Sequence, residues 1–290
     1  MGITLPLFID KTALPTGKNH VSYSEVVDWN ECSWRHKLKQ IDKIDDGDNG
    51  SIHTAFGHSV HFALEEYILH YKEPGFSFDS VLDEAHKVFL EELEKVKYEG
   101  KDSEDWLGAL DELPREVPGW LDKEFPGWET VAAEFYLFEP IVGQVNKYFK
   151  GYMDTVIRYP KPPRKGSKVV PGVPIEWEYW ILDWKTTSWG WDLKKKTDKF
   201  KRMQLALYKH HWCTKLGIDF KKVKCGFVLL KRTAKAGSRC ELVEISVGDK
   251  TREDALDLVS HMVNSVSKRM FLKNRNSCTY CKFRNTKHCP

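Results

Sequence analysis

The sequence predicts an α/β protein in which a central sheet is flanked by helices. Strand patterns, in which side chains divide between two faces with a period of two, occur at 131–138, 147–158 and 177–185. From Phe56 to Ile68, apolar residues recur instead at helical spacing. Helix-like segments precede, interrupt and follow the strand-like ones, an order that favours helices packed on a mixed sheet.

The composition is that of a soluble globular protein with a large core. The chain has 290 residues, 41% of them hydrophobic and 30% charged, and its formal net charge of +3 argues neither for nor against a nucleic-acid partner. No run of about 18 apolar residues is present, and the apolar patch near the N-terminus is too short for a signal peptide. We therefore expect a cytoplasmic protein, or one of the host cytoplasm if viral, with no membrane partner.

The N-terminal region predicts an irregular arm followed by a helix. Residues 1–21 lack periodicity, whereas residues 22–290 read as a single domain. Ser22 and Glu25 have the spacing of a capping box, which predicts a helix that runs to about 34–38 and carries Cys32. Residues 45–50 then form a loop.

A helical region separates this first helix from the strands. The apolar stripe from Phe56 predicts a helix on which His61 and Glu65, four residues apart, share a neighbouring face. Further helices are predicted at about 78–97 and 103–124, the second broken at Pro114 and Pro118. Residues 75–125 are thus expected to form a helical insertion in the domain.

Three strands and their successors form the predicted sheet. The strand 131–138 places Glu134 among apolar residues, and the strand 147–158 includes Asp154. Residues 160–174 predict a long, mobile connection. The remaining elements are a turn at 186–191, a helix at about 198–216, strands at about 222–230 and 240–247, and a helix from 249 to about 272.

The stretch Trp177–Lys185 contains the charged residues that are most informative about function. In an extended strand, Asp183 and Lys185 lie side by side on one face, while Trp180, Leu182 and Trp184 lie on the other. An ordinary surface ion pair explains such a pair alone. Asp154, however, falls on the adjacent strand, so a hairpin can bring both carboxylates to one metal ion.

Acidic oxygens suit Mg²⁺ or Mn²⁺, and one imidazole favours Mn²⁺. The candidate ligands are therefore His61, Asp154 and Asp183, with Glu134 as a further candidate. Such an ion activates water and polarises a phosphodiester, while Lys185 positions the water or stabilises developing charge. This chemistry indicates hydrolysis of a phosphodiester.

Four motifs in order resemble those of RecB-like PD-(D/E)XK nucleases. They are Gly57–His61, Gly151–Asp154, Asp183–Lys185 and Gln204–Tyr208, which match the histidine, GxxD, (D/E)xK and QxxxY motifs. The resemblance spans roughly residues 22–290 and implies a restriction-endonuclease-like core. It also implies that His61, Asp154 and Asp183 bind the catalytic metal, that Lys185 assists the nucleophile, and that Gln204 and Tyr208 contact DNA.

Cysteines form a second candidate site at the two ends of the domain. Cys278, Cys281 and Cys289 lie close in sequence near the C-terminus, and Cys32 is the best fourth ligand. His288 is an alternative to Cys289. Four thiolates can bind zinc or a [4Fe-4S] cluster, whereas disulfides are not expected in a reducing compartment. The remaining cysteines, Cys213, Cys225 and Cys240, fall inside predicted elements and read as buried free thiols.

The one-plus-three spacing resembles that of the iron-sulfur subgroup of RecB-like nucleases. That subgroup includes the AddB nuclease domain, the exonucleases of CRISPR adaptation and the nuclease domain of the eukaryotic flap-processing nuclease-helicase. The resemblance implies a [4Fe-4S] cluster, with zinc as the alternative, held by region 273–290 and completed by Cys32. Its expected role is to join the two ends of the domain.

These expectations favour a metal-dependent DNA exonuclease that acts on single-stranded ends or overhangs in replication, recombination or repair. Aromatic rings can stack on unpaired bases and cations can follow the backbone. The candidate contacts are Trp189, Trp191, Lys194, Lys195, Lys196, Lys199, Lys201 and Arg202. Alternatives are a non-catalytic DNA-end-binding module, a CRISPR spacer-capture nuclease and a structure-specific endonuclease. No Walker-type loop is present, so unwinding requires a separate helicase, and a recombinase is another possible partner.

Overall fold

The computed structural model of the protein describes residues 13–47, 50–161 and 176–290. In chain order, the strands and helices are β1 (His20–Ser22), α1 (Tyr23–Glu31), α2 (Ser33–His36), α3 (Ile52–His70), α4 (Phe78–Lys95), α5 (Ser103–Glu124), β2 (Glu129–Pro140), β3 (Tyr148–Pro160), β4 (Trp177–Thr187), α6 (Leu193–Lys196), α7 (Lys199–Leu216), β5 (Val223–Lys231), β6 (Cys240–Ile245) and α8 (Asp249–Ser267). No helix in these ranges is long and apolar enough to cross a membrane.

The described chain falls into two compact units. A terminal unit lies within Met1–Asp48, Leu137–Gly151 and Asp249–Pro290, and a central unit lies within Asn49–Tyr136 and Tyr152–Gly248. Strands β2 and β3 pass from one unit into the other. The assignment of residues 22–290 to a single domain stays a prediction.

A mixed sheet forms the centre of the central unit. Strand β4 pairs antiparallel with β3, where Thr155 lies opposite Leu182, and parallel with β5, where Asp183 lies opposite Phe227. Strand β6 pairs antiparallel with β5, and β2 pairs with β3. A parallel pair requires a crossover, and α7 supplies it between β4 and β5.

Helices cover both faces of β4. Trp180, Leu182 and Trp184 pack into a core cluster with apolar residues of α3, α4 and α5. On the opposite face, Tyr179 contacts Trp212 of α7, with ring centroids 5.6 Å apart. The predicted α/β class and the division of β4 into two faces are therefore confirmed.

Helix α5 differs from its prediction, because it continues through both prolines. Pro114 and Pro118 each remove one backbone donor, which usually interrupts a helix. The apolar side of the helix is nevertheless buried along its length, at Trp106, Leu110, Leu113, Val117 and Leu121. Packing of this face stabilises the helix more than the two missing hydrogen bonds weaken it.

In the terminal unit, the predicted N-terminal cap is confirmed but the helix after it is shorter. The Ser22 hydroxyl accepts a hydrogen bond from the Glu25 amide at 3.3 Å. Cys32 is extended, with φ −160° and ψ 102°, so it separates α1 from α2 rather than lying on one helix. The structure also adds β1, which pairs parallel with the first residues of β3.

One other boundary differs from its prediction. Helix α8 ends at Ser267, five residues before the predicted end at 272. The predicted mobile connection at 160–174 lies largely outside the described residues. At its ends, the Lys161 amide donates to the Glu176 carbonyl at 2.8 Å, so β3 and β4 form a long hairpin.

Candidate active site

Two carboxylates meet on β3 and β4 of the central unit. The register that pairs Thr155 with Leu182 places Asp154 opposite Asp183 one residue further on. Asp183 is 3% exposed, and Asp154 is also largely sheltered from solvent. Burial, and then the charge of Asp183, raise the pKa of Asp154 well above its ordinary value. A bound cation at this position would therefore relieve the repulsion between the two carboxylates.

The main chain of Trp184 orients two of the predicted metal ligands. Its amide donates to Oδ2 of Asp154 at 2.8 Å, and its carbonyl oxygen lies 3.0 Å from Nε2 of His61. The indole is buried on the opposite face of the strand, where Nε1 donates to the Thr155 hydroxyl at 3.1 Å. An anchored side chain thus fixes the peptide groups that hold Asp154 and His61.

His61 presents a lone pair to Asp154. A carbonyl oxygen only accepts hydrogen bonds, so Nε2 of His61 carries the proton that points at Trp184. Burial lowers the pKa of His61, although the charge of Asp183 opposes this, and the ring is therefore neutral at pH 7. Nδ1 then faces Oδ2 of Asp154 across 3.6 Å as an acceptor. Two acceptors in this position are suited to share one cation.

Glu134 lies near His61 and Asp154, and its backbone conformation is unusual. Its φ is +42°, which a residue with a side chain rarely adopts and which interrupts the regular alternation of β2. Burial, and then the charges of Glu65 and Asp183, raise the pKa of Glu134 to about 7. Strained backbone of this kind is concentrated at functional sites.

One ligand atom from each of His61, Glu134 and Asp154 lies within 4.8 Å of the other two. Octahedral Mg²⁺ has ligand bonds of about 2.1 Å, which place opposite ligands about 4.2 Å apart. The set therefore fits a small divalent cation after a slight contraction. Two oxygens and one imidazole nitrogen are donors that Mn²⁺ and Mg²⁺ both accept.

Asp183 lies outside this close group because its carboxylate faces Lys185. The Lys185 ammonium is 2.5 Å from Oδ2 of Asp183. Burial alone would lower the pKa of Lys185, but the charges of Asp183 and Asp154 outweigh it and raise that pKa. Lys185 is therefore a protonated, positioned cation beside the candidate metal ligands.

Helix α7 covers the same face of β4 with two predicted DNA contacts. Nε2 of Gln204 donates to the Tyr208 hydroxyl at 3.3 Å. Burial, and then the charge of Asp183, raise the pKa of Tyr208, so the phenol remains a neutral donor. Gln204 and Tyr208 thus place polar groups beside the acidic cluster.

The sequence matches the model of the PD-(D/E)XK nuclease superfamily over residues 20–286. The chain belongs to this superfamily. A sequence comparison with curated proteins finds no match. The structure is similar to a crystal structure of a Eubacterium rectale protein provisionally described as an exonuclease, with a TM-score of 0.55 and 16% identity over 100% of this chain and 96% of that one. At this identity the likeness concerns the fold.

Because the chain belongs to the PD-(D/E)XK nuclease superfamily, its acidic cluster is the candidate catalytic centre. PD-(D/E)XK nucleases use Mg²⁺ or Mn²⁺, and His61, Glu134 and Asp154 form a possible site for such an ion. Glu134 belongs to this group with a ligand atom within 4.8 Å of the other two, although only its strand position marked it in the sequence. The individual roles of these residues stay predictions.

The predicted DNA contacts occupy different surroundings in the nuclease. Trp189 is 71% exposed, whereas Trp191 packs on Phe227, with ring centroids 5.2 Å apart. Lys201 lies 4.7 Å from the Trp191 ring, and burial and the charge of Lys185 lower its pKa. Lys196 forms an ion pair with Glu241 at 2.7 Å. The exposed positions nearby are Lys194, Lys195 and Lys199, and Arg202 is partly buried.

In the terminal unit, the four predicted cluster ligands line one small cavity. Cys32, Cys278, Cys281 and Cys289 all contribute to its wall, together with Leu38 and Phe283. The Asn274 amide donates to the sulfur of Cys32 at 3.4 Å, as amides do to ligating thiolates. The other cysteines, Cys213, Cys225 and Cys240, lie in the central unit, where burial raises the pKa of each thiol.

Proposed function

We propose that the protein is a metal-dependent DNA exonuclease that hydrolyses phosphodiester bonds at single-stranded ends or overhangs. The observation that carries the proposal is the convergence of His61, Glu134 and Asp154, with ligand atoms within 4.8 Å, in a PD-(D/E)XK nuclease. Replication, recombination and end processing are the settings in which such ends arise.

His61, Glu134 and Asp154 would hold a Mg²⁺ or Mn²⁺ ion, with Asp183 as a further oxygen donor. When bound, the ion would polarise the phosphodiester and lower the pKa of a coordinated water. The neutral His61 ring offers Nδ1 without first losing a proton, because its Nε2 proton is already committed to the Trp184 carbonyl. Imidazole among the donors favours Mn²⁺ over Mg²⁺.

Lys185 would act on the nucleophile and the developing charge. Its pKa is raised, so the ammonium stays protonated and donates hydrogen bonds to an attacking water or to a phosphate oxygen. Asp183 holds the ammonium in place at 2.5 Å. Gln204 and Tyr208 would position the strand, since both offer donors beside the cluster.

Unpaired bases would stack on aromatic rings after β4. Trp189 is exposed for such stacking, and Lys194, Lys195 and Lys199 would follow the phosphates with Lys201 and Arg202. Trp191 and Lys196 have protein partners, so we assign them a supporting role. Single-stranded DNA with a free end is the substrate that this surface suits.

The cysteine cavity would hold a [4Fe-4S] cluster that joins the chain ends within the terminal unit. Among the described residues, no three of the four sulfur atoms lie within 4.8 Å of one another. Tetrahedral zinc, with Zn–S bonds of about 2.3 Å, needs sulfur atoms about 3.8 Å apart. The wider arrangement supports a cluster over a single zinc ion. Cys32 and Cys289 would connect residues that are remote in sequence.

One experiment tests activity, substrate and polarity together. Linear single strands, linear duplexes with and without overhangs, and single-stranded circles, each labelled at the 5′ or 3′ end where an end exists, are incubated with Mg²⁺ or Mn²⁺. We expect stepwise shortening of single-stranded ends and no cleavage of circles. Cleavage of circles would contradict an exonuclease, and an inert protein with bound metal would support an end-binding module instead.

A further inference from the structure

A small pocket next to the candidate active site combines a stacked arginine with several hydroxyl groups. It is lined by His53, Phe56, Trp106, Arg232 and the consecutive residues Thr186, Thr187 and Ser188. His53 and Thr186 also line the broad groove that contains His61 and Glu134. Thr186 directly follows Lys185, and an extended chain advances about 3.3 Å per residue, so the pocket begins within about 10 Å of Lys185.

Arg232 is held in this pocket by ring stacking and a backbone hydrogen bond, neither of which uses the N–H donors of its guanidinium. Its guanidinium carbon lies 3.9 Å from the Trp106 ring centroid. Its amide donates to the Thr187 carbonyl at 2.8 Å, which ties the turn after β5 to the end of β4. Within the ranges that the structure describes, the guanidinium has no hydrogen-bond acceptor and no ion pair, although its charge also acts on the nearby carboxylate of Asp102. A positioned arginine with free donors is a typical anion ligand.

Most of the other polar side chains of the pocket share this property; the exception is Thr187, whose hydroxyl donates to the Trp189 carbonyl at 2.6 Å. Over the same described ranges, the His53 ring and the hydroxyls of Thr186 and Ser188 have no hydrogen-bond partner. The Ser188 carbonyl, in contrast, accepts from the Thr233 amide at 3.2 Å, so the main chain around the pocket is fixed. The side chains lining the pocket thus offer a guanidinium, two hydroxyls and an imidazole, and no carboxylate.

We infer that this pocket binds a phosphate group of the nucleic-acid strand that occupies the active site. The inference rests on the proposed function and extends it by a second contact point beside the reacting phosphodiester. Arg232 would form the charged hydrogen bonds, the Thr186 and Ser188 hydroxyls would add neutral ones, and Trp106 would keep the guanidinium in place. The phosphate is either a terminal monoester or an internal diester, which share this chemistry.

Binding of labelled single-stranded oligonucleotides without divalent metal tests the pocket separately from catalysis. Three oligonucleotides of one sequence carry a 5′-phosphate, a 3′-phosphate or hydroxyls at both ends. We expect Arg232→Ala to weaken binding by about 10-fold or more. The slope of log affinity against log salt should fall in magnitude by about 0.7, the value for one phosphate contact on a single strand. Arg232→Lys should recover only part of the affinity.

Arg115→Ala is the matched control. Arg115 lies on α5, nine residues after Trp106 and so about 13 Å along the helix. It pairs with exposed Asp79 at 2.6 Å, and its loss should leave affinity and salt slope unchanged. Thermal melts and circular dichroism of both variants establish that each is folded.

The outcomes separate the two phosphate sources and the two proposals. Loss of affinity for only one phosphorylated end identifies a terminal monoester, and equal loss for all three strands identifies an internal diester. If Arg232→Ala and Arg115→Ala have the same affinity and salt slope, phosphate binding in the pocket is contradicted. The same holds if the wild-type protein does not bind the oligonucleotides. If the wild-type protein binds through Arg232 but does not cleave with metal, the result would contradict the proposed exonuclease activity. It would still support phosphate binding in the pocket.

Discussion

Replacement of Glu134 by glutamine should stabilise the metal-free protein at alkaline pH. The pKa of Glu134 is raised from 4.5 to about 7, so the folded state keeps a proton that the unfolded chain has already lost. The folded state is therefore progressively destabilised as pH rises from about 4.5 to 7, and the full destabilisation persists above pH 7. Glutamine has nearly the same shape and cannot ionise, so this cost disappears.

The size of the effect follows from the shift. About 2.5 pKa units at about 1.36 kcal/mol each correspond to about 3.4 kcal/mol. Because the side chain is partly exposed and screened by solvent, we take about half, or about 1.7 kcal/mol. For a chain of this size, that raises the melting temperature by about 3 °C at pH 8 and by far less at pH 5.

Thermal melts in chelator and in Mn²⁺ measure this directly. Wild-type protein should gain stability with Mn²⁺, about 2.7 kcal/mol at a concentration 100 times Kd, whereas Glu134→Gln should gain much less. Glu91→Gln, on the exposed side of α4, is the control and should change neither value. A Glu134→Gln protein that melts below wild type at pH 8 in chelator, or that keeps the full Mn²⁺ gain, would refute the reasoning.

Three further substitutions test the other assigned groups. Lys185→Ala should lower kcat by about 10²- to 10³-fold with little change in KM, because the lost charge acts on the reacting centre; steady-state cleavage of a labelled single strand measures both constants. His61→Gln should weaken Mn²⁺ binding about 10- to 100-fold, since the Nδ1 donor is lost; calorimetric titration measures it. Cys278→Ser should remove iron and sulfide and lower the melting temperature, as read by elemental analysis and thermal melts.

Two of these substitutions have a matched control in the chain. His58→Gln changes an exposed histidine one turn before His61 and should leave Mn²⁺ affinity unchanged. Cys213→Ala removes a cysteine of the central unit and should retain iron. A Lys185→Ala protein with full activity would argue against its role, and a colourless, zinc-containing wild-type protein would argue against the cluster.

The sequence predicts the sheet and the faces of β4 because both depend on local periodicity. An extended strand alternates its side chains strictly, so the positions of Asp183 and Lys185 against those of Trp180 and Trp184 follow from spacing alone. The placement of Asp154 and Asp183 on adjacent strands of one hairpin was also predicted, whereas the register that sets them opposite each other comes from the structure. Features that repeat along one element are thus readable without coordinates.

The features that were missed depend on contacts between remote residues. The continuity of α5 through Pro114 and Pro118 reflects burial of its apolar face, which overrides the local penalty. The positive φ of Glu134 has no sequence signature, because glutamate is not a residue that favours it. The stacking of Arg232 on Trp106 joins positions 126 apart, and neither residue type in isolation predicts an anion site.

The middle residue of the (D/E)xK motif has a function that its side chain does not reveal. Trp184 contributes an amide to Asp154 and a carbonyl to His61, so one residue sets both the position of a carboxylate and the tautomer of a histidine. These groups belong to the main chain and would be present with any residue at position 184. What tryptophan adds is immobility, since its buried indole is anchored to Thr155 at 3.1 Å. The positions of Asp154 and His61, two of the candidate metal ligands, therefore depend on packing on the face of β4 opposite to Asp183 and Lys185.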